Sequence, residues 1–234
     1  MRRPLAVLGV WACLVGVAHA QGRPSEEAVR RNQRGVAYQQ QGKLEEALAE
    51  FRQAAQMDPG NIAVLMNLAY VYGLQGRLDE AIAEYRKVLE RQPANALAQN
   101  NLGVLYDRKG LHDEAVREFE RILERDPGNA SALKNVETAK RNRATVQERD
   151  SEINRAVKEA AARPRDARAA YMAGRLYAVH GQSEEALAWL IKAVDLGLDN
   201  PEDLTADPAL VRLRDDPRFP KVERRRPASS GQPR

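Results

Sequence analysis

Apolar and small residues return along this chain at intervals of 34. Leu102, Gly103, Tyr106, Ala115, Phe119 and Pro127 have counterparts one interval earlier in Leu68, Ala69, Tyr72, Ala81, Tyr85 and Pro93. One interval earlier again stand Arg34, Gly35, Tyr38, Ala47, Phe51 and Pro59. A fixed period of this length is the mark of stacked supersecondary units, none of which can bury its apolar face alone. Each unit predicts two antiparallel helices, A and B, joined at Gly42, Gly76 or Gly110, where glycine enters the left-handed region at little cost. Helix B opens on acids followed by alanine, as in Asp79-Glu80-Ala81, which suits the positive end of a helix dipole. A proline after each helix B stops the ladder and suits the start of the next element.

The recurring small residues let the two helices approach. Gly35, Ala69 and Gly103 on A are expected to face Ala47, Ala81 and Ala115 on B, with the tyrosines and Phe51, Tyr85 and Phe119 filling the space beside that contact. The period and this signature resemble the tetratricopeptide repeat family. The resemblance implies an all-α, right-handed superhelical solenoid of about five antiparallel helix pairs with C-terminal capping helices. Three regular repeats, 28–61, 62–95 and 96–129, fall within 21–129.

Beyond Asn129 the pattern weakens. Residues 130–166 retain Leu133 and Val136, but Glu137 replaces the small residue and no glycine marks a turn. Two readings stand: a degenerate fourth hairpin, with helices to about Gln147 and from about Asp150 to Ala162, or one long connecting helix. The pattern recovers at 167–219 with Ala173, Gly174, Tyr177, Gly181, Ala186 and Leu190, a fifth hairpin. Asp207-Pro208 places a cap residue before a proline suited to the first helical position. Short helices near Pro201–Thr205 and Pro208–Asp215 are expected to bury Leu204, Leu210, Leu213 and Phe219. This end also resembles the end-of-array element of some bacterial tetratricopeptide proteins. Residues 220–234 turn to Pro, Ser, Gly, Gln and Arg, a composition that predicts disorder.

The first twenty residues alter the picture of where the protein works. Arg2 and Arg3, the apolar run Leu5–Val17 and the small-x-small Ala18-His19-Ala20 predict a signal peptide at 1–20, cleaved after Ala20. Joined to the bacterial-looking end, the leader implies a secreted protein with the periplasm as its compartment, and no stable membrane insertion after cleavage. Cleavage removes Cys13, the single cysteine, so the mature chain has neither disulfide nor thiol chemistry. The charge, 37 basic against 33 acidic residues, alternates along helical faces and points away from nucleic acid.

Catalytic elements are missing. His112 and His180 are the histidines left after cleavage, each alone at a hairpin turn without a second ligand at metal spacing. No phosphate loop, nucleophile elbow or paired-carboxylate motif occurs. The expectation is therefore no catalytic residue, no metal, no cofactor and no enzyme. One polar position does repeat: Gln33, Asn67, Asn101 and Asn135. A carboxamide both donates and accepts, so it can satisfy a backbone amide without reading its side chain. By the family resemblance the A helices line a concave face, where such a row holds an extended peptide; equally, the amides are simply half-exposed. Met66, Tyr70, Asn100, Val104, Arg108 and Lys134 surround the row. The family's carboxylate clamp needs basic residues where this chain has Leu97 and Asn101, or Asn32 and Val36, and is not expected. The function implied is a scaffold for a peptide or protein partner of unknown identity. The alternative is an assembly subunit of an envelope or secretion complex using its convex face or its cap.

Overall fold

The computed structural model describes residues 26–198, 204, 206–219 and 222. Among them the elements are all helical: α1 Glu26–Gln40, α2 Leu44–Met57, α3 Ile62–Leu74, α4 Leu78–Arg91, α5 Ala96–Arg108, α6 His112–Arg125, α7 Ala130–Ala162, α8 Ala167–Val179, α9 Ser183–Asp195 and a 3-10 helix Pro208–Leu213. They form a tetratricopeptide-like solenoid of helix pairs. The chain divides into two compact units, 1–136 and 137–234, with the boundary inside α7. The signal peptide, Ser25 and the helix expected near Pro201–Thr205 (save Leu204) lie outside the described residues.

In the first unit α1–α2, α3–α4 and α5–α6 are three copies of one hairpin. Gly42, Gly76 and Gly110 have φ of 75, 74 and 80°. Nothing lies within 4 Å of where their Cβ would sit, so backbone conformation, not space, requires glycine there. Each turn closes with the same pair of backbone bonds, as where Gly76 N–H donates to Gly73 and Arg77 N–H to Tyr72. The next helix A then starts on an asparagine. Asn61 accepts from Val64 N–H at 3.2 Å, Asn95 from Ala98 N–H at 2.9 Å and Asn129 from Ala132 N–H at 3.1 Å, a cap that stabilises a helix by about 1 kcal/mol.

The interior explains the small residues in a way the sequence did not. A Cβ on Gly35 would lie 2.5 Å from the Phe51 ring, and one on Gly103 2.6 Å from the Phe119 ring. The glycines accommodate the aromatic on helix B; Ala47, Ala81 and Ala115 are fully buried beside them. In the middle hairpin both partners change, to Ala69 and Tyr85. Neighbouring hairpins are also tied by a polar bond at the same period: Arg52 Nε donates to the Tyr72 hydroxyl, and Arg86 Nε to that of Tyr106, both at 3.0 Å.

Residues 130–166 do not form a hairpin. Ala130–Ala162 is one continuous helix of 33 residues, and the connecting-helix reading is the one observed. The segment contains neither the glycine nor the proline that marks the other turns. Without a helix B to fold over it, Leu133 is exposed, although its counterparts Leu65 and Gln99 are buried.

In the second unit, α8 and α9 pair around Gly181, with φ 75°. Tyr171, Tyr177 and Leu190 belong to a core completed by Leu204, Leu210, Leu213 and Phe219, all buried. Val222 joins that core as well, so at this residue the tail expected over 220–234 is packed. Asp207 fixes the 3-10 helix to α8. One of its oxygens accepts from the Ala209 N–H at 2.8 Å. The other accepts from the Tyr171 hydroxyl at 2.5 Å and Arg175 Nε at 2.8 Å. Burial pushes the Asp207 carboxyl up, but these three donors outweigh it and hold the carboxyl below its ordinary range.

Candidate functional site: an amide row on the A helices

Four successive A segments, α1, α3, α5 and the first turns of α7, present the repeated carboxamides. Gln33 is exposed, and Asn67, Asn101 and Asn135 are half-buried. The structure gives the row a second member that the period of 34 conceals. Asn67 Nδ2 donates to Asn32 Oδ1 at 2.9 Å, and Asn135 Nδ2 donates to Asn100 Oδ1 at 2.8 Å. Each bond reaches back 35 residues, from one A helix to the one before. Each pair leaves Asn67 or Asn135 with an oxygen that has no donor among the described residues, and Asn32 or Asn100 with an amide to give. The pairing fixes the side chains and presents one acceptor and one donor per step, the complement of a backbone amide.

The middle step is different. The residue that Asn101 would meet is Met66, which cannot accept, and Asn101 Nδ2 turns instead to the Tyr85 hydroxyl at 3.0 Å. That hydroxyl exists because the second hairpin carries tyrosine where its neighbours carry phenylalanine. Burial pushes the Tyr85 phenol up, partly offset by the bond from Asn101, so it stays neutral.

Beside Asn101 a cavity of about 130 Å³ opens between α3 and α5. Tyr70, Leu74, Val104 and Arg108 wall it, with Gly73, Leu105 and Tyr85 below. Tyr70 and Leu74 are about half exposed. Arg108 Nη1 donates to the Gly73 carbonyl at 2.9 Å, which pins the guanidinium at the rim. Thus Tyr70, Asn101, Val104 and Arg108 come together here, whereas Lys134 is exposed on α7 and Gln33 on α1.

The first unit also carries two larger grooves, of about 700 and 550 Å³. They are the same groove repeated, with Arg86, Pro93, Tyr106, Glu118 and Arg125 in one matching Arg52, Pro59, Tyr72, Glu84 and Arg91 in the other. Carboxylates and guanidiniums alternate in both. His112 Nδ1 lies 2.6 Å from Asp107 Oδ1, a local turn contact. Among the described residues no three potential ligands gather to hold a metal, and no helix is long and apolar enough to cross a membrane.

Paired helices repeating at 34 residues, joined by left-handed glycines, define a helical-repeat protein. The chain belongs to the tetratricopeptide repeat family: the family's model matches residues 32–91, 66–130 and 151–201, more than half of its length. No curated protein matches it. Among solved structures it is similar to a tetratricopeptide repeat protein from Parabacteroides merdae, with 20% identity, 84% of this chain and 82% of that one covered, and a TM-score of 0.49. It is also similar to the second TPR domain of human RPAP3 in complex with an HSP70 peptide, with 24% identity, coverage of 50% and 98%, and a TM-score of 0.47. The Sgt2 TPR domain of Aspergillus fumigatus aligns at 21% identity over 53% of this chain and 84% of that one, with a TM-score of 0.49.

Proposed function

We propose that this protein is an exported, periplasmic, non-enzymatic scaffold that binds an extended segment of a partner protein across its A helices, on the concave face of the array. The observation that carries the reading is the pair of bridged carboxamides, Asn67–Asn32 and Asn135–Asn100, each offering one donor and one acceptor outward. Such groups recognise a backbone. They contribute only about 0.5–1.5 kcal/mol per bond, against roughly 8 kcal/mol for micromolar affinity, so side-chain pockets must supply the rest.

The test is capture of partners from the envelope fraction of the source cell with the wild-type protein and with Asn67→Ala/Asn135→Ala. The double variant should retain helicity and lose most of the captured partner. Undiminished capture, with cross-links mapping to the grooves around Arg86 and Arg52, would favour the assembly-subunit reading instead.

A further inference from the structure

Resting on that reading, the geometry points to a specific anchor site within it: we propose that the cavity between α3 and α5 takes one aliphatic or phenyl-sized side chain of a partner segment that carries a carboxylate beside it, held by Arg108.

Three departures from the repeat converge on this spot. Met66 stands where the neighbouring repeats have Asn32 and Asn100, Ala69 where they have glycine, and Tyr85 where they have phenylalanine. Ala69 and Tyr85 line the cavity, and Met66 removes the acceptor that Asn101 would otherwise meet beside it. As at Asn67 and Asn135, Asn101 Oδ1 has no donor among the described residues; here the Tyr85 proton, too, has no acceptor among them. An open polar pair therefore lies at the floor of a mostly apolar cavity.

Size and charge define the occupant. At about 130 Å³ the cavity is slightly smaller than the roughly 150 Å³ of a closed apolar cavity that accepts benzene. Its mouth is open, so leucine, methionine or the ring of phenylalanine can enter with part of the side chain left outside. Exposed Tyr70, Leu74 and Val104 at its walls stand to lose water contact when it fills. Charge is unevenly divided between the two kinds of helix. Helix α3 contains no charged residue at all, and α5 contains one carboxylate, Asp107, bonded to His112. By contrast, α4 and α6 each carry several acids. Arg108 is thus a cation on a face nearly free of carboxylates, with N–H groups beyond the one given to Gly73. A partner carboxylate complements it; a basic segment is repelled.

Selection of random displayed heptapeptides on the purified protein tests this. Enriched sequences should pair Leu, Ile, Met or Phe with an adjacent Asp or Glu. A synthetic heptapeptide of that sequence should bind Arg108→Gln about tenfold more weakly, the loss of one charge-assisted bond. Selection on Arg108→Glu should enrich Lys or Arg in place of the acid. Val104→Trp, which fills the cavity from an exposed position, should abolish binding with the circular dichroism spectrum unchanged. Enriched peptides that lack the acid, or that bind Val104→Trp as well as the wild type, overturn the anchor site. If those peptides remain sensitive to Asn67→Ala/Asn135→Ala, the scaffold reading survives; if they are insensitive to that change too, both fall.

Discussion

Residues 44–125 and residues 130–162 are both rich in good helix formers, yet the first stretch turns back repeatedly and the second never does. Each A-to-B turn in the first has a glycine at positive φ followed by an acid-led helix, and each B-to-A turn has a proline followed by a capping asparagine. Helix α7 holds neither glycine nor proline to make such a turn, and helix is the default. Folding back is therefore not driven by the apolar pattern alone. Ala132, Val136 and Ala139 bury a face at one end of α7, Ile153 and Ala160 at the other, and the middle stays helical with no buried residue. The two regions are also held differently. Each hairpin of the first is stabilised by its nearest neighbours, as in solenoids generally, whereas the cap over α8–α9 is held by one apolar cluster and by the Asp207 carboxylate.

The strongest way to break the regular region is at an aromatic beside a glycine. Phe119 is buried against Gly103, which has no side chain to refill the space that Phe119→Ala leaves. The expected loss is about 3–5 kcal/mol, read by chemical denaturation. Because that array stacks in one dimension, the loss should appear in hydrogen exchange across α3–α6 before it appears in α8–α9. Uniform loss of protection along the chain would contradict the separation.

The cap is the counterpart. Asp207→Ala removes three donors' common acceptor and should destabilise the Pro208–Leu213 segment by about 1.5–3 kcal/mol, with exchange in α1–α6 unchanged. The pH dependence has a definite sign. A carboxyl held below its ordinary value stabilises the folded state fully above that value, and the contribution disappears as pH falls through the depressed pKa. Acid loosening of the cap below about pH 4 should therefore be weaker in Asp207→Asn, whose side chain does not titrate.

These elements also divide by how far each could be read from sequence. The hairpins were legible because their causes are local: Gly42, Gly76 and Gly110 sit within a few residues of the turns they make. Asp207 was legible as a cap for the same reason, but its bond to Tyr171 spans 36 residues and leaves no local trace. Segment 130–162 stands in the sequence between a hairpin and one long helix: surviving signature residues suggest the first, while the missing glycine, the deciding fact, favours the second. The amide row follows from its period, and Asn100 is expected beside it, but the bonds that Asn32 and Asn100 accept span 35 residues and leave no local trace. The carboxylate-poor character of α3 and α5 was present in the sequence too. It becomes meaningful only once those helices are seen lining one cavity.

A reciprocal pair of substitutions tests the glycine argument itself. Gly110→Ala forces a side chain to φ 80° with open space around it, a purely conformational penalty of about 1–2 kcal/mol. Ala144→Gly, in the exposed middle of α7, should cost about 1 kcal/mol by helix propensity and should not create a turn. If Ala144→Gly lost helicity over the whole of 130–162, the long helix would depend on that residue rather than on the absence of a stop.

The smallest effect is expected at the irregular step of the amide row. Met66→Asn restores the residue that Asn67 and Asn135 find at Asn32 and Asn100, and Asn101 should leave the Tyr85 hydroxyl to bond it. One neutral hydrogen bond replaces another, and Met66 is only half-buried, so stability should move by less than about 1 kcal/mol. The change belongs in spectra: the Asn101 side-chain amide resonances should shift toward those of Asn67 and Asn135. The Tyr85 hydroxyl, stripped of its donor, should then exchange faster. If Asn101 stays on Tyr85, the middle step is set by the Ala69–Tyr85 packing rather than by Met66. The first outcome assigns the break in the row to Met66, the second to the Ala69–Tyr85 pair that lines the cavity beside Asn101.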